Sequence, residues 1–287
     1  MEQHAVDAPV ASPSIPRRGF YQRVLRTLTR GDVPCLIGGT YALETYTGIR
    51  RATKDLDLFI LREDWPRAVE ALGAEGIATD LTFPHWLGKA GHGRHYVDLL
   101  FGSGNGICPV DREWFAFARP TRLWRVPCHL CPPEEMIWSK SFVQERERFD
   151  GADVQHLLRA QADALDWPRL LARFGDYWEV LLSQLVLFGF VFPAERDRVP
   201  PEIVRLLLDR YQQLRSADRP TVCRGTLLSR EQYLVDVEHR GDHDARLRPF
   251  GRLSAEDLEP WTAEIPATRR ATLATWKVLP PRRVTRS

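Results

Sequence analysis

Phe20, Tyr21, Val24, Leu25 and Leu28 recur at helical spacing and predict an amphipathic helix that stops near Gly31. Residues 33–37 are short and apolar with a proline at their start, which suits a buried strand, and the Gly38/Gly39 pair breaks it. Thr40 then caps a short helix to about Thr47, with Gly48 as its stop. Residues 55–60 alternate polar and apolar as a strand does, Asp64 caps a helix to about Ala74, and 95–101 form a third strand before the turn-rich 102–106. A strand near 123–126 extends the sheet. From Pro132 the character changes: helical patterns cover about 133–149, 152–163, 168–174, 177–189 and 201–215. Beyond Ser216 the chain mixes Arg, Asp, Pro and Gly, with one candidate strand over 232–237 and a Pro/Arg-rich end.

This order predicts an α+β protein, a mixed sheet followed by a helical domain. The expected parts are a loose tail over 1–16, a sheet-bearing domain over 17–132, a helical domain over 133–216 and an irregular extension over 217–287. A length of 287 residues fits about two domains. No stretch approaches the roughly 18–20 apolar residues of a membrane span, and the longest apolar run, near 180–192, is interrupted by Ser183, Gln184 and Gly189. The start lacks a basic segment followed by an apolar one, and five cysteines suggest reduced thiols and a cytoplasmic address. The formal charge of +2 does not announce a nucleic-acid partner, and the basic side is nearly all arginine. The lysines are Lys54, Lys89, Lys140 and Lys277.

Chemistry enters with Asp55 and Asp57. Residues two apart in a strand share a face, so these carboxylates sit side by side while Leu56, Leu58 and Ile60 face the other way. Adjacent like charges raise each other's pKa unless a cation lies between them, and Mg²⁺ takes such carboxylates together with substrate phosphates. The bland alternative is a half-exposed strand with an acidic outer face. Asp98 shares its face with Tyr96 and Leu100, and an acid among apolar neighbours needs a partner. If its strand lies beside the Asp55/Asp57 strand, three carboxylates can hold two metal ions; a core salt bridge to an arginine is the alternative. The Gly38-Gly39-Thr40 turn joins a strand to a helix, where backbone N–H groups favour anions, although such a turn alone is often only a tight connection.

The segments Ile37-Gly38-Gly39-Thr40-Tyr41-Ala42-Leu43 and Arg51-Ala52-Thr53-Lys54-Asp55-Leu56-Asp57-Leu58-Phe59 resemble the signature of polymerase-β-type nucleotidyltransferases. Within that superfamily the chain is most similar to the abortive-infection and toxin–antitoxin (AbiEii-like) enzymes. There a glycine pair, an Arg-x-Thr and an Asp-x-Asp recur in this order. Thr40 stands where serine is common, and the hydroxyl is retained. The resemblance implies a polymerase-β-like fold, Mg²⁺ (two ions, with Mn²⁺ as an alternative), a nucleoside triphosphate, and transfer of a nucleotidyl group to a hydroxyl with release of pyrophosphate. In that scheme Asp55, Asp57 and Asp98 hold metal and carry catalysis. Gly38, Gly39 and Thr40 cradle the phosphates, which Lys140 and Arg51 neutralise. The acceptor is RNA, protein or a small molecule, and a cognate antitoxin is a candidate partner. A non-catalytic binding protein or antitoxin that keeps the fold is the rival reading.

A weaker echo follows in Lys140, Arg146, Arg148, Asp150 and Asp153. Lys140 lies on an apolar stripe between Met136 and Val143, from which it either snorkels to water or points at a triphosphate. The arginines and acids equally suit helix-surface ion pairs. Cys128-His129-Leu130-Cys131 has the spacing of half a zinc site but no second half follows, and the glycine-containing stretch from His85 to His95 reads as a mobile surface loop.

Overall fold

The computed structural model describes residues 15–92, 95–214, 221–266, 269 and 275. The tail expected over 1–16 lies outside these except for its last two residues, which open the first helix, and most of the Pro/Arg-rich end also lies outside them.

Helix α1 (Ile15–Arg30) leads into β1 (Leu36–Ile37), α2 (Gly39–Thr47), β2 (Asp57–Phe59) and α3 (Trp65–Ala74). Strands β3 (Ala78–Phe83), β4 (Leu87–His92) and β5 (His95–Leu100) follow, then α4 (Arg112–Ala116), β6 (Arg119–Leu123) and β7 (Val126–Leu130). These strands form one mixed sheet in the order β3-β4-β5-β2-β1-β7-β6, with β2/β5 and β1/β7 parallel and the other pairs antiparallel. Every α1 residue picked out by the apolar spacing is buried, as are Leu56, Leu58, Ile60, Val97 and Leu99 on one side of the sheet. The apolar face of the sheet therefore packs away from solvent and leaves the acids on the opposite face.

Five helices come next: α5 (Pro133–Ser141), α6 (Gly151–Gln161), α7 (Trp167–Phe174), α8 (Trp178–Val191) and α9 (Pro201–Gln213). By length and mean hydropathy (1.2) the run Trp167–Val191 qualifies as a membrane-spanning candidate. Gly175 interrupts it at φ 48, however, and Leu170, Phe174, Leu181, Leu182, Leu185 and Phe188 are buried inside the protein.

The chain then adds β8 (Val222–Cys223), α10 (Leu234–Arg240), β9 (His243–Asp244) and α11 (Ala255–Ala263).

Several expectations need correction. The strand expected near 123–126 is two strands, β6 ending at Leu123 and β7 starting at Val126, joined by a turn in which Trp124 and Arg125 have positive φ. The helix expected over 133–149 stops at Ser141, and 142–150 is a loop closed by a bridge between Gln144 and Phe149. The candidate strand over 232–237 is a turn at Gln232 and Tyr233 followed by the start of α10, which Gly241 ends in the left-handed conformation. Its valines suit a strand, but propensity is a weak guide that context overrides. The stretch from His85 to His95 is largely β4, hydrogen-bonded on both sides. Gly88 serves packing there, since a Cβ on it would lie 2.3 Å from the Trp65 ring. Finally, Thr40 is not the cap of α2: the helix starts one residue earlier, with Gly38 as N-cap.

Candidate active site

The parallel pairing of β2 and β5 sets Asp57 directly beside Asp98, and Leu58 beside Leu99 behind them. Asp55 precedes β2 by two residues, and its Oδ1 accepts from the Thr53 hydroxyl at 2.9 Å. On the other flank of β2, the Gly38 N–H donates to the Asp57 carbonyl at 2.9 Å. Gly39 then passes so close that a Cβ there would lie 1.7 Å from Asp57 Oδ2. Its φ of 53 favours glycine independently. The diglycine turn and the acid pair are thus adjacent because β1 and β2 are neighbours in the sheet.

The Asp57 carboxyl is pushed up to about 7, first by burial and then by repulsion from Asp55 and Asp98. Burial also raises Asp98, against the opposing pull of Lys89. Lys89, opposite Asp98 on β4, donates to Asp98 Oδ1 at 2.9 Å and lies 4.7 Å from the Tyr96 ring centre. The cation beside Asp98 is therefore an ammonium, not the arginine weighed from the sequence. Reading 85–95 as a loop concealed it.

Asp55, Asp57, Asp98, Gly39, Thr40, Arg51 and Lys140 all line one cavity of about 780 Å³. Gly38 stands behind that lining, against the Phe59 ring, where a Cβ would come within 2.3 Å. Arg51 and Lys140 meet on one acid. Arg51 grips both Asp153 oxygens at 2.6 Å, and Lys140 donates to Asp153 at 2.7 Å and to Asp150 at 2.9 Å. Arg148 also pairs with Asp150, at 3.1 Å. Burial would raise both acids, yet these cations hold them below the usual carboxylate range. Lys140 does not snorkel: its side chain is 12% exposed. Asp150 and Asp153 thus join the site as the partners that hold its cations.

Among the described residues, no group of three or more His, Cys, Asp or Glu is drawn together tightly enough to hold a metal ion. The donor chemistry nonetheless suits a hard divalent cation: three carboxylates share one sheet face, and their mutual repulsion is what such an ion relieves. Cys128 donates to the Thr121 carbonyl and Cys131 is buried against the Pro132 carbonyl.

The far wall was not anticipated. Thr226, Leu227, Leu228, Ser229, Arg230 and Trp261 line it, together with Phe83 at the end of β3 and Trp86 in the turn that follows. The one legible signal was the capping box that starts α11, in which Ser254 and Asp257 bond each other's backbone N–H.

Several solved structures resemble the chain, among them the following three. A solution structure of the antibiotic-resistance factor ANT(2'')-Ia shares 15% identity over 70% of this chain and 95% of its own, with a TM-score of 0.35. A crystal structure of the same factor with adenylyl-2''-tobramycin gives 16%, 68%, 99% and 0.33 on the same measures. The lincomycin-bound lincosamide adenylyltransferase LnuA gives 14%, 52%, 96% and 0.35. Likeness this slight carries no inference about activity or substrate. No family model and no curated protein matches the chain.

Proposed function

We propose that the chain is a nucleotidyltransferase of polymerase-β type, moving a nucleoside monophosphate from a nucleoside triphosphate to a hydroxyl. The observation that carries this reading is the pairing of Asp57 with Asp98 across β2 and β5, with Gly39 against the Asp57 carboxylate. Asp55, Asp57 and Asp98 would hold Mg²⁺, which when bound neutralises phosphate charge and activates the attacking hydroxyl. The protein's own groups position and stabilise. The start of α2, at Gly39 and Thr40, receives phosphate oxygens on backbone N–H groups. Lys140, Arg51 and Arg148 supply positive charge, and Asp150 and Asp153 keep those cations aimed before substrate arrives. The acceptor oxygen bonds the α-phosphorus while the bond to the bridging oxygen of pyrophosphate breaks. Asp98 takes the proton. The AbiEii-like motifs extend the proposal to a toxin-type member of a toxin–antitoxin or phage-defence pair.

A second reading has its own support. Lys89 already pairs with Asp98, and Arg51 and Lys140 already pair with Asp153. A binding protein that keeps the fold without the reaction would also hold its charges in this balanced state. Incubation with each α-labelled nucleoside triphosphate and Mg²⁺ separates the two, using total RNA, total protein and a small-molecule extract as acceptors. Label transferred to one fraction, with pyrophosphate released and both lost in Asp57→Asn, supports the enzyme. Nucleotide bound without transfer to any fraction supports the rival.

A further inference from the structure

The cavity has two chemically different ends. One carries the acids, the diglycine turn and the paired cations; the other is aromatic. Phe83 and Trp86 stack at 5.5 Å with their planes 6° apart, and Trp261 meets Trp86 edge-on at 6.5 Å. Two polar atoms lie just beneath this apolar surface. The Trp86 Nε1–H and the Arg230 Nε–H are buried without a hydrogen-bond partner, and both residues line the cavity. An unmet buried donor costs about 1–3 kcal/mol, so each one gains from an acceptor that a small turn of its side chain brings within reach.

The aromatic end is held in place by contacts between separate segments. The Asn105 amide donates to the Leu227 carbonyl at 2.6 Å, His85 Nε2 lies 3.1 Å from the Gly104 carbonyl, and Trp261 lies flush against Gly104. A Cβ on Gly104 would come within 2.6 Å of the Trp261 ring. On the other side the Gln144 N–H donates to the Leu228 carbonyl at 3.0 Å, and the Arg230 N–H donates to Glu145 at 3.1 Å. The segment from Thr226 to Trp261 is thus fastened both to the sheet-bearing part and to the 142–150 loop. It supplies one wall of this end of the cavity.

We infer that this aromatic end is the acceptor subsite. Its ligand is a small molecule with a flat, largely apolar body, a hydroxyl, and a hydrogen-bond acceptor for Trp86 and Arg230. Glu145 and Glu264 also line the cavity; Glu145 is already engaged by the Arg230 backbone, so the donors set the polarity sought. The inference rests on the transferase reading only for what the bound hydroxyl then does. Binding itself needs neither metal nor nucleotide.

Hydroxynaphthoate, a fused aromatic body with one hydroxyl and one carboxylate, is the probe. Its fluorescence is titrated with the full chain without metal or nucleotide. The expected result is saturable binding, weakened about tenfold in Trp86→Phe, which keeps a ring and removes the N–H, and similarly in Arg230→Gln. Unchanged melting temperatures establish that both variants fold. Absence of binding, or equal affinity in wild type and both variants, overturns the inference. So does a short single-stranded RNA with a free 3′ hydroxyl that displaces the probe and depends on the same two residues. Binding of Mg²⁺ with a non-hydrolysable nucleotide is measured separately: its failure sinks the transferase reading and leaves the aromatic binding site standing.

Discussion

Substituting alanine for Gly39 separates backbone strain from damage to the acid pair. At φ 53 a side chain costs about 1–2 kcal/mol relative to glycine. The new Cβ would also fall 1.7 Å from Asp57 Oδ2, so the carboxylate must leave its rotamer for roughly a further 0.5–1.5 kcal/mol. The total is roughly 1.5–3.5 kcal/mol, and the displaced group is the acid proposed to hold the metal. Gly48 provides the control: its φ is 73, but a Cβ there meets nothing within 4 Å. Gly48→Ala should therefore bear the backbone cost alone. Scanning calorimetry should show a larger fall in melting temperature for Gly39→Ala than for Gly48→Ala. A fluorescent nucleotide analogue with Mg²⁺ should bind Gly48→Ala normally and fail to bind Gly39→Ala. Equal destabilisation by the two variants, with nucleotide binding retained in Gly39→Ala, refutes the claim that the turn is shaped around Asp57.

Three further outcomes follow from the same contacts. Asp57→Asn removes a carboxylate that burial, Asp55 and Asp98 all penalise, so thermal unfolding should shift upward even as Mg²⁺-dependent nucleotide binding disappears; a lower melting temperature contradicts this. Asp153→Ala leaves Arg51 without its carboxylate and the nearly buried Lys140 with only Asp150, and should cost about 3 kcal/mol in urea unfolding, whereas a loss under about 1 kcal/mol would mean the network is incidental. Burial would raise Asp244, but the Arg246 guanidinium at 2.6 Å outweighs it and holds the carboxyl below its ordinary 3.8. The folded pKa is thus the lower one, so the stabilisation is complete above about 3.8 and fades as pH falls through the folded value. Arg246→Met should flatten that acid limb, and an unchanged slope below pH 4 would show that the pair contributes nothing.

Much of the acid-bearing half was legible because strand periodicity is strict. Asp55, Asp57 and Asp98 each stood opposite apolar residues, and Leu56, Leu58, Val97 and Leu99 are indeed fully buried. What periodicity cannot give is which strands are neighbours. The β2/β5 register brings Asp57 to Asp98, and the β4/β5 register brings Lys89 to Asp98; both depend on pairings distant in sequence. Gly88 and Gly91 made β4 look like a loop, when Gly88 makes room for Trp65. Likewise, the apolar stripe of α5 ran on into 142–149 and hid a loop that sets Arg148 and Asp150 beside Lys140. The aromatic end was the least legible, since Phe83, Trp86, Arg230 and Trp261 come from distant segments and converge only after the last of them has folded back.

The central claim is that three carboxylates of one sheet face hold Mg²⁺ for a nucleotide lying against Gly39. Isothermal titration of the full chain with a non-hydrolysable nucleoside triphosphate, with and without Mg²⁺, tests it most directly. The account predicts Mg²⁺-dependent binding that vanishes when Asp55 and Asp57 are both replaced by alanine in a protein that still melts cooperatively. Binding of equal strength without the metal, or undiminished in that double variant, would contradict it.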